Sequence, residues 1–334
     1  MTKENEKPIA VYYEHPEWFR PLFAALDRRG LPYEKIDAAS GFYNPGENPT
    51  DKYSLVFNRM SASAYLRNHG SAVFYTRGFL ASLEQKGARV INGYDAFEIE
   101  ISKALQTVLL GSLGIKYPQT RIINSANKAI AAAKDLRFPV IVKPNIGGRG
   151  AGIVKFDTLE ELQTAIDENL FDLGIDSTAL VQEFATKRGG SIQRVETLGG
   201  KFLYALQIYP GGENFNLCQA EVCTTDEQPS DAEICLTDAP ARNLRVENFQ
   251  PTAEIIETVE RIVAAAKIDV GGIEYLIDDR TGDALFYDIN ALSNFVVNGE
   301  ELVGFDPHER LVDFLEQEIE KCATDIGCRS SAGG

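Results

Sequence analysis

The stretch Val140-Ile-Val-Lys143-Pro144-Asn145-Ile146-Gly147-Gly148-Arg149-Gly150-Ala151-Gly152-Ile153-Val154-Lys155-Phe156 runs from one β-rich segment through a glycine-dense loop into another. Four glycines within residues 147–152 let the backbone adopt conformations closed to other residues and approach a ligand closely. Backbone N–H groups in such a loop can converge on an anion, and Lys143 adds a positive charge beside them. This chemistry suits polyphosphate, and so a nucleotide. Two common phosphate fingerprints do not fit. A P-loop carries Lys-Ser or Lys-Thr directly after its last glycine, whereas Gly152 is followed by Ile153. A dinucleotide loop framed on Gly148 and Gly150 requires glycine at position 153 and opens a helix. Ile153 to Phe156 reads instead as a strand, so the unit is strand–loop–strand. On the loop's residues alone, an ordinary hairpin with a flexible tip fits equally well.

The 334 residues suffice for two or three domains, and 44% hydrophobic content is that of a soluble globular chain with a full core. No apolar run reaches the ~18 residues of a membrane span. The polar start Met-Thr-Lys-Glu-Asn-Glu-Lys lacks the apolar core of a signal peptide, so a cytoplasmic protein is expected. A net charge of −16 disfavours a nucleic-acid surface. A homo-oligomer is compatible with this composition. Cysteines at 218, 223, 235, 322 and 328 form no Cys-x-x-Cys pair, and His15, His69 and His308 show no zinc spacing. Reduced thiols are expected, with a Cys322–Cys328 disulfide as the alternative.

Around the loop the chain divides into three expected units: an N-terminal α/β domain at 1–95, a central lid at 96–185 and a C-terminal unit at 186–325. In the first, strands within Pro8–Tyr13, Tyr33–Ile36, Asp51–Asn58 and Arg89–Asn92 alternate with helices Glu17–Arg29 and Phe74–Lys86, which argues a parallel sheet. Asp95 to Leu113 follows one helical period, with Phe97, Ile101, Leu105, Val108 and Leu109 on a face. In the lid, Ser125–Lys134 and Leu159–Asn169 read as helices, the second opened by a capping box at Asp157–Glu160, and Leu180–Phe184 as a strand. In the third unit, Gly199-Gly200 joins strands Ile192–Leu198 and Lys201–Tyr209. Residues 210–250 read as irregular. Helix Thr252–Lys267, a hairpin of Gly271–Ile277 with Ala284–Ile289, and helix Phe305–Lys321 complete the chain.

Taken together, five patches in this order resemble the ATP-grasp superfamily, on the side of the ribosomal-protein glutamate ligases and glutathione synthetases. The likeness runs from about Tyr53 to Asn298. It implies an ATP-grasp fold of mixed α/β and α+β class, with two α+β subdomains enclosing ATP and an N-terminal α/β domain completing the cleft. The resemblance assigns Lys103 and Lys143 to the nucleotide phosphates. It makes Gly147, Gly148, Gly150, Ala151 and Gly152 a lid that excludes water. Arg149 at the tip reads either as a γ-phosphate contact or as a solvated arginine. Val181–Ala185 becomes the strand under the adenine, read by Gln182, Glu183, Phe184 and Ala185. Arg194 becomes, with Lys143, a catalytic cation. Ile192 stands where the family carries an aspartate, and Asn214 where some relatives carry an arginine.

The strongest patch pairs Gly271-Gly-Ile-Glu274 with Phe286-Tyr-Asp288-Ile-Asn290. Asp288 and Asn290 alternate on one strand and so share a face. With Glu274 they offer two carboxylates and an amide oxygen, a hard donor set for magnesium or manganese. The flanking Ile273, Tyr275, Phe286 and Ile289 suggest a buried hairpin with only the acids turned to a cleft. Substrate contacts are expected at Arg59, Ser293 and Asn294, with a structural ion pair as the alternative for Arg59.

The activity implied is ATP-dependent ligation of a small-molecule or peptide carboxylate to an amine, through an acyl phosphate, with release of ADP and phosphate. A phosphotransferase on the same fold and a non-catalytic nucleotide-binding protein remain as alternatives.

Overall fold

The computed structural model describes residues 7–15, 17–148, 150–170, 172–209, 245–296 and 298–330. Its first unit consists of β1 (Ile9–Tyr13), α1 (Arg20–Arg29), β2 (Tyr33–Asp37), α2 (Pro49–Lys52), β3 (Val56–Arg59), a 3-10 helix (Ala62–Arg67), α3 (Gly70–Gln85), β4 (Val90–Ile91) and α4 (Tyr94–Glu100). The strands pair in parallel in the order β2-β1-β3-β4. Ile9, Ala10, Val11 and Tyr12 are all buried, as expected of a parallel strand covered on both faces. The chain leaves β1 for β2 on one side and returns to β3 on the other. A crevice therefore opens between the carboxyl ends of β1 and β3.

The helical run from Asp95 to Leu113 is not continuous. α4 ends at Glu100, and α5 (Lys103–Ser112) starts afresh. Ser102 is extended, and its Oγ accepts from Leu105 N at 3.2 Å. A serine that caps a helix competes with the helix before it, and here the cap wins. Lys103 thereby becomes the first residue of α5.

The second unit carries β5 (Thr120–Ile123), α6 (Ala129–Ala133), β6 (Val140–Pro144), β7 (Val154–Phe156), α7 (Leu159–Asp167) and β8 (Ala179–Glu183). All pairs are antiparallel, in the order β5-β8-β6-β7. The β6–β7 hairpin is the one read around the glycine loop. α6 is shorter than Ser125–Lys134 because a 3-10 turn, Ala126–Lys128, precedes it. The α7 cap lies one residue later than Asp157–Glu160: Thr158 Oγ1 accepts from Glu161 N at 3.1 Å, and Glu161 accepts from Asp157 N at 2.7 Å.

The third unit carries β9 (Ile192–Leu198), β10 (Lys201–Tyr209), β11 (Arg245–Asn248), α8 (Ala253–Ala265), β12 (Val270–Ile277), β13 (Ala284–Asn290), α9 (Gly299–Leu302) and α10 (Pro307–Ser330). Its antiparallel order is β11-β10-β9-β12-β13. Gly199 and Gly200, at φ 59° and 72°, make the tight turn between β9 and β10. Arg245–Asn248, within the stretch expected to be irregular, is an edge strand, and α10 runs beyond Lys321. Asn214, with residues 210–244 as a whole, lies outside the described residues.

A bulge sets which side chains of β13 face which way. Glu274 pairs with Asp288, but the next residue, Tyr275, pairs with Phe286. The extra residue puts Phe286 and Ile289 into one core with Ile273, Tyr275, Val195 and α8. Asp288 and Asn290 are left on the other face. That face continues into a second core, where Ile192, Leu206 and Leu276 meet Ile9, Phe57, α1 and α10. The first and third units thus share buried apolar surface. Among the described residues no helix is long and apolar enough to cross a membrane.

Candidate functional site

Strand register aligns the charged residues of the third unit. Arg194 on β9 lies opposite Glu274 on β12, which lies opposite Asp288 on β13; one step along, Glu196, Gly272 and Asn290 form the next row. Gly272 leaves space that a side chain would fill: a Cβ there would stand 2.7 Å from Arg194 Nη2 and 2.8 Å from Glu196 Oε2. Through that opening Arg194 donates to Glu196 Oε1 (2.6 Å), Glu274 Oε1 (2.8 Å) and Ser293 Oγ (2.9 Å). Ser293 Oγ in turn donates to Glu196, and Tyr287 donates its hydroxyl proton to Glu274 Oε2 at 3.0 Å. Burial alone would lower the basicity of Arg194, but the two carboxylates outweigh it and raise its pKa. Burial, helped by the nearby Asp288, raises Glu274 despite Arg194.

Two lysines close the row from the second unit's side. Lys103, at the start of α5, places Nζ 2.5 Å from Asp288 Oδ1. Burial would raise the Asp288 pKa, but Lys103, Lys143 and Arg194 hold it below the usual carboxylate value. Lys143 on β6 is 5% exposed, and burial with repulsion from Lys103 pushes its pKa down to about 7. Asn145, two residues on, holds the lysines together. Its Oδ1 accepts from Ser102 Oγ (3.1 Å) and Ala104 N (2.8 Å), and its Nδ2 donates to Asp176 at 2.7 Å. Behind them, Glu100 accepts from Ala291 N (2.6 Å) and Leu292 N (3.1 Å), fixing the chain just past β13.

The glycine loop lies against its own hairpin and against the first unit. A Cβ on Gly152, at φ 73°, would stand 2.9 Å from Pro144 Cγ, and one on Gly148 would stand 2.9 Å from Ser63 Cβ. Arg149, one of the expected phosphate contacts, lies outside the described residues. Cys218, Cys223, Cys235 and the side chain of Cys328 lie outside them too.

Other expected contacts are committed within the fold. Gln182 donates to Thr120 Oγ1 at 2.8 Å. Glu183 accepts from Arg137 N and Nη2 at 2.9 and 3.2 Å. Phe184 N donates to Pro139 O at 2.9 Å, and Ala185 is part of the core. Arg59 is buried and donates to Ser293 O (2.5 Å) and Asn294 Oδ1 (3.0 Å). It pins the segment after β13 to the first unit through neutral oxygens. Ile192 fills the expected aspartate position as a core residue. Glu196, Tyr287 and Asn145 escaped the sequence reading. Glu196 was accessible to it, since it follows Arg194 by two on one strand. Tyr287 was not, because only the bulge brings it to Glu274.

Among the described residues no three His, Cys, Asp or Glu side chains gather as a metal cluster. Glu274 and Asp288 stand opposite each other on β12 and β13, and Asn290 follows Asp288 by two on its strand. Asn290 Nδ2 donates to Gly272 O at 3.3 Å, which turns its oxygen the other way. All three offer hard oxygen, which fits a divalent cation of the magnesium type.

The fold is similar to that of ATP-grasp proteins. Residues 101–240 match the RimK-like ATP-grasp domain. It is 26% identical over 216 residues to a probable alpha-L-glutamate ligase of Parasynechococcus marenigrum, covering 62% of this chain and 45% of that one. It is 25% identical over 202 residues to the D-alanine–D-alanine ligase of Haemophilus influenzae, covering 59% and 62%. The chain thus spans less than two thirds of either relative. Among solved structures, the ATP-grasp ligase PsnB complexed with minimal precursor superposes with a TM-score of 0.65 at 18% identity, covering 94% of this chain and 100% of that one. A RimK domain ATP-grasp protein from Sphaerobacter thermophilus gives 0.62 at 16%, covering 91% and 98%.

Proposed function

We propose that the protein is an ATP-dependent carboxylate–amine ligase. The observation that carries this reading is the meeting of Lys103, and of Lys143 on the strand that leads into the glycine loop, with Asp288, beside Glu274 and Arg194. Cations and loop N–H groups suit a triphosphate, and the acids on the opposite sheet suit the metal that accompanies it. The ligases named among the relatives support it. We assign units 1–95, 96–185 and 186–325 to the N-terminal, lid and metal-bearing parts, and the cytoplasm, where ATP is supplied, as the working compartment.

Glu274, Asp288 and Asn290 would hold magnesium, or manganese in its place, which would supply charge neutralisation for the phosphates. Lys103 and Lys143 bind phosphate oxygens, and Asn145 keeps both in position. The loop of Gly147–Gly152 excludes water. A substrate carboxylate oxygen bonds to the γ-phosphorus as the bond to the β-phosphate oxygen breaks, and ADP leaves. The amine nitrogen then bonds to the acyl carbon, phosphate departs, and the amine loses its proton. Arg194 neutralises the charge that develops on the acyl phosphate. Positioning and electrostatics carry the step, with no protein nucleophile.

A screen of acid–amine pairs with magnesium and ATP, read as ADP release with mass spectrometry of products, tests this. An amide is expected. ADP with a phosphorylated acid and no amide would make the protein a phosphotransferase, and no ADP with any acid would make it a nucleotide-binding regulator.

A further inference from the structure

β13 is the last strand of its sheet, and among the described residues no further strand pairs with it. Its outer edge therefore presents N–H and C=O groups that need partners. Residues that precede β5 supply them. Phe286 N donates to Lys116 O at 3.0 Å. Ile289 N donates to Gln106 Oε1 at 3.2 Å, and Gln106 Nε2 donates back to Ile289 O at 2.8 Å. Beyond them, Glu100 accepts from Ala291 N and Leu292 N, and Asn92 Nδ2 donates to Ala291 O.

Gln106 is the part of this edge that bears on the site. It is 2% exposed and follows Lys103 by three on α5, so the two side chains leave the same side of the helix. Its amide oxygen and both its N–H groups are engaged, for Nε2 also donates to Ile99 O, in the last turn of α4, at 2.9 Å. One acceptor and one donor on Ile289 copy the peptide group of a neighbouring strand. The grip falls on the residue between Asp288 and Asn290, while Lys103 holds Asp288 itself. The place matters because the β12–β13 register shifts beside it, between Glu274 and Tyr275, and a bulge disrupts pairing locally. A strand that slips by one residue turns its side chains to the opposite face. A neutral amide prevents this without adding a charge beside Lys103, Glu100 and Asp288.

We propose that Gln106 is a positioning residue for the magnesium–nucleotide site. By holding both backbone groups of Ile289 it keeps Asp288 and Asn290 in the register with Lys103 that metal and phosphates require. This rests on the ATP-and-metal part of the ligase reading. One face of α5 then carries a cation for phosphate and, one turn later, a strand mimic for the metal ligands. A glutamine that served only the fold would not affect how strongly magnesium promotes nucleotide binding.

Calorimetric titration of ATP into the full chain, once with excess magnesium and once with a chelator, tests this, with melting temperatures measured alongside. Wild type should bind ATP more tightly with magnesium. Gln106→Met, similar in size but without the amide, should cut that enhancement about tenfold or more. Gln106→Asn keeps an amide one methylene short of β13 and carries the test should Gln106→Met misfold; it should cut the enhancement by a similar factor. Leu110→Val, one turn further along α5 and in the core, should lower the melting temperature and leave the enhancement unchanged. An unchanged enhancement in a folded Gln106 variant, or an equal loss in Leu110→Val, overturns the inference. Wild-type ATP binding that ignores magnesium overturns the metal reading and this inference with it. The expected losses in the Gln106 variants, with no amide formed by wild type from any acid–amine pair, defeat the ligase reading alone.

Discussion

Lys103 Nζ and Asp288 Oδ1, 185 residues apart in sequence, stand 2.5 Å apart across the cleft between α5 and β13. The pair joins an expected phosphate ligand to an expected metal ligand. Each neutralises the other's buried charge. Nucleotide and metal would take over both partners, so the pair marks where the two halves of the site must be remade.

Asp288→Asn leaves Lys103 buried beside Lys143 without the carboxylate it is hydrogen-bonded to. Breaking one side of a buried pair costs about 3–5 kcal/mol. The variant should melt several degrees lower by calorimetry. It should also lose magnesium-dependent nucleotide binding, while nucleotide binding without magnesium falls less.

Lys143 gives the fold a pH signature. Its folded pKa of about 7 lies below the roughly 10.4 of an unfolded lysine, so between these values the unfolded chain holds more protons. Stability must then rise with pH across that window and level off below about 7. Melting temperatures measured from pH 7 to pH 9.5 should climb more steeply for wild type than for Lys143→Met. Parallel curves would contradict a lysine whose pKa burial lowers.

Asn145→Ala removes the acceptor for Ala104 N and Ser102 Oγ. Leaving buried donors unpaired costs about 1–3 kcal/mol. Because the same amide ties β6 to α5, the variant should also raise the dissociation constant for ATP. A stability loss with unchanged ATP affinity would make Asn145 merely structural.

Gly152→Ala meets two obstacles, a left-handed φ of 73° and Pro144 Cγ at 2.9 Å. The backbone cost alone is about 1–2 kcal/mol. Limited proteolysis should cut the loop of the variant faster than that of wild type, and turnover should fall more than nucleotide affinity.

Much of this was legible in the chain. Glu274, Asp288 and Asn290 share a face because side chains alternate along strands, and that rule needs no tertiary knowledge. The glycine-joined β9–β10 hairpin was equally open to reading, for Gly199 and Gly200 have few other uses between two strands. What failed depended on competition or distance. Ser102 reads as one polar residue in a helical period until its side chain captures Leu105 N. Tyr287 reaches Glu274 only through a bulge that no residue type announces. The contact of Arg59 with the segment after β13, 234 positions away, is likewise one that no local pattern announces.

The central claim is that a substrate carboxylate is activated as an acyl phosphate between Lys103, Lys143 and Asp288. An acid labelled with oxygen-18 in its carboxylate, turned over with ATP and an amine, tests it through the inorganic phosphate. Mass spectrometry should find one label per turnover in that phosphate. Amide formation with the label absent from phosphate would contradict the mechanism.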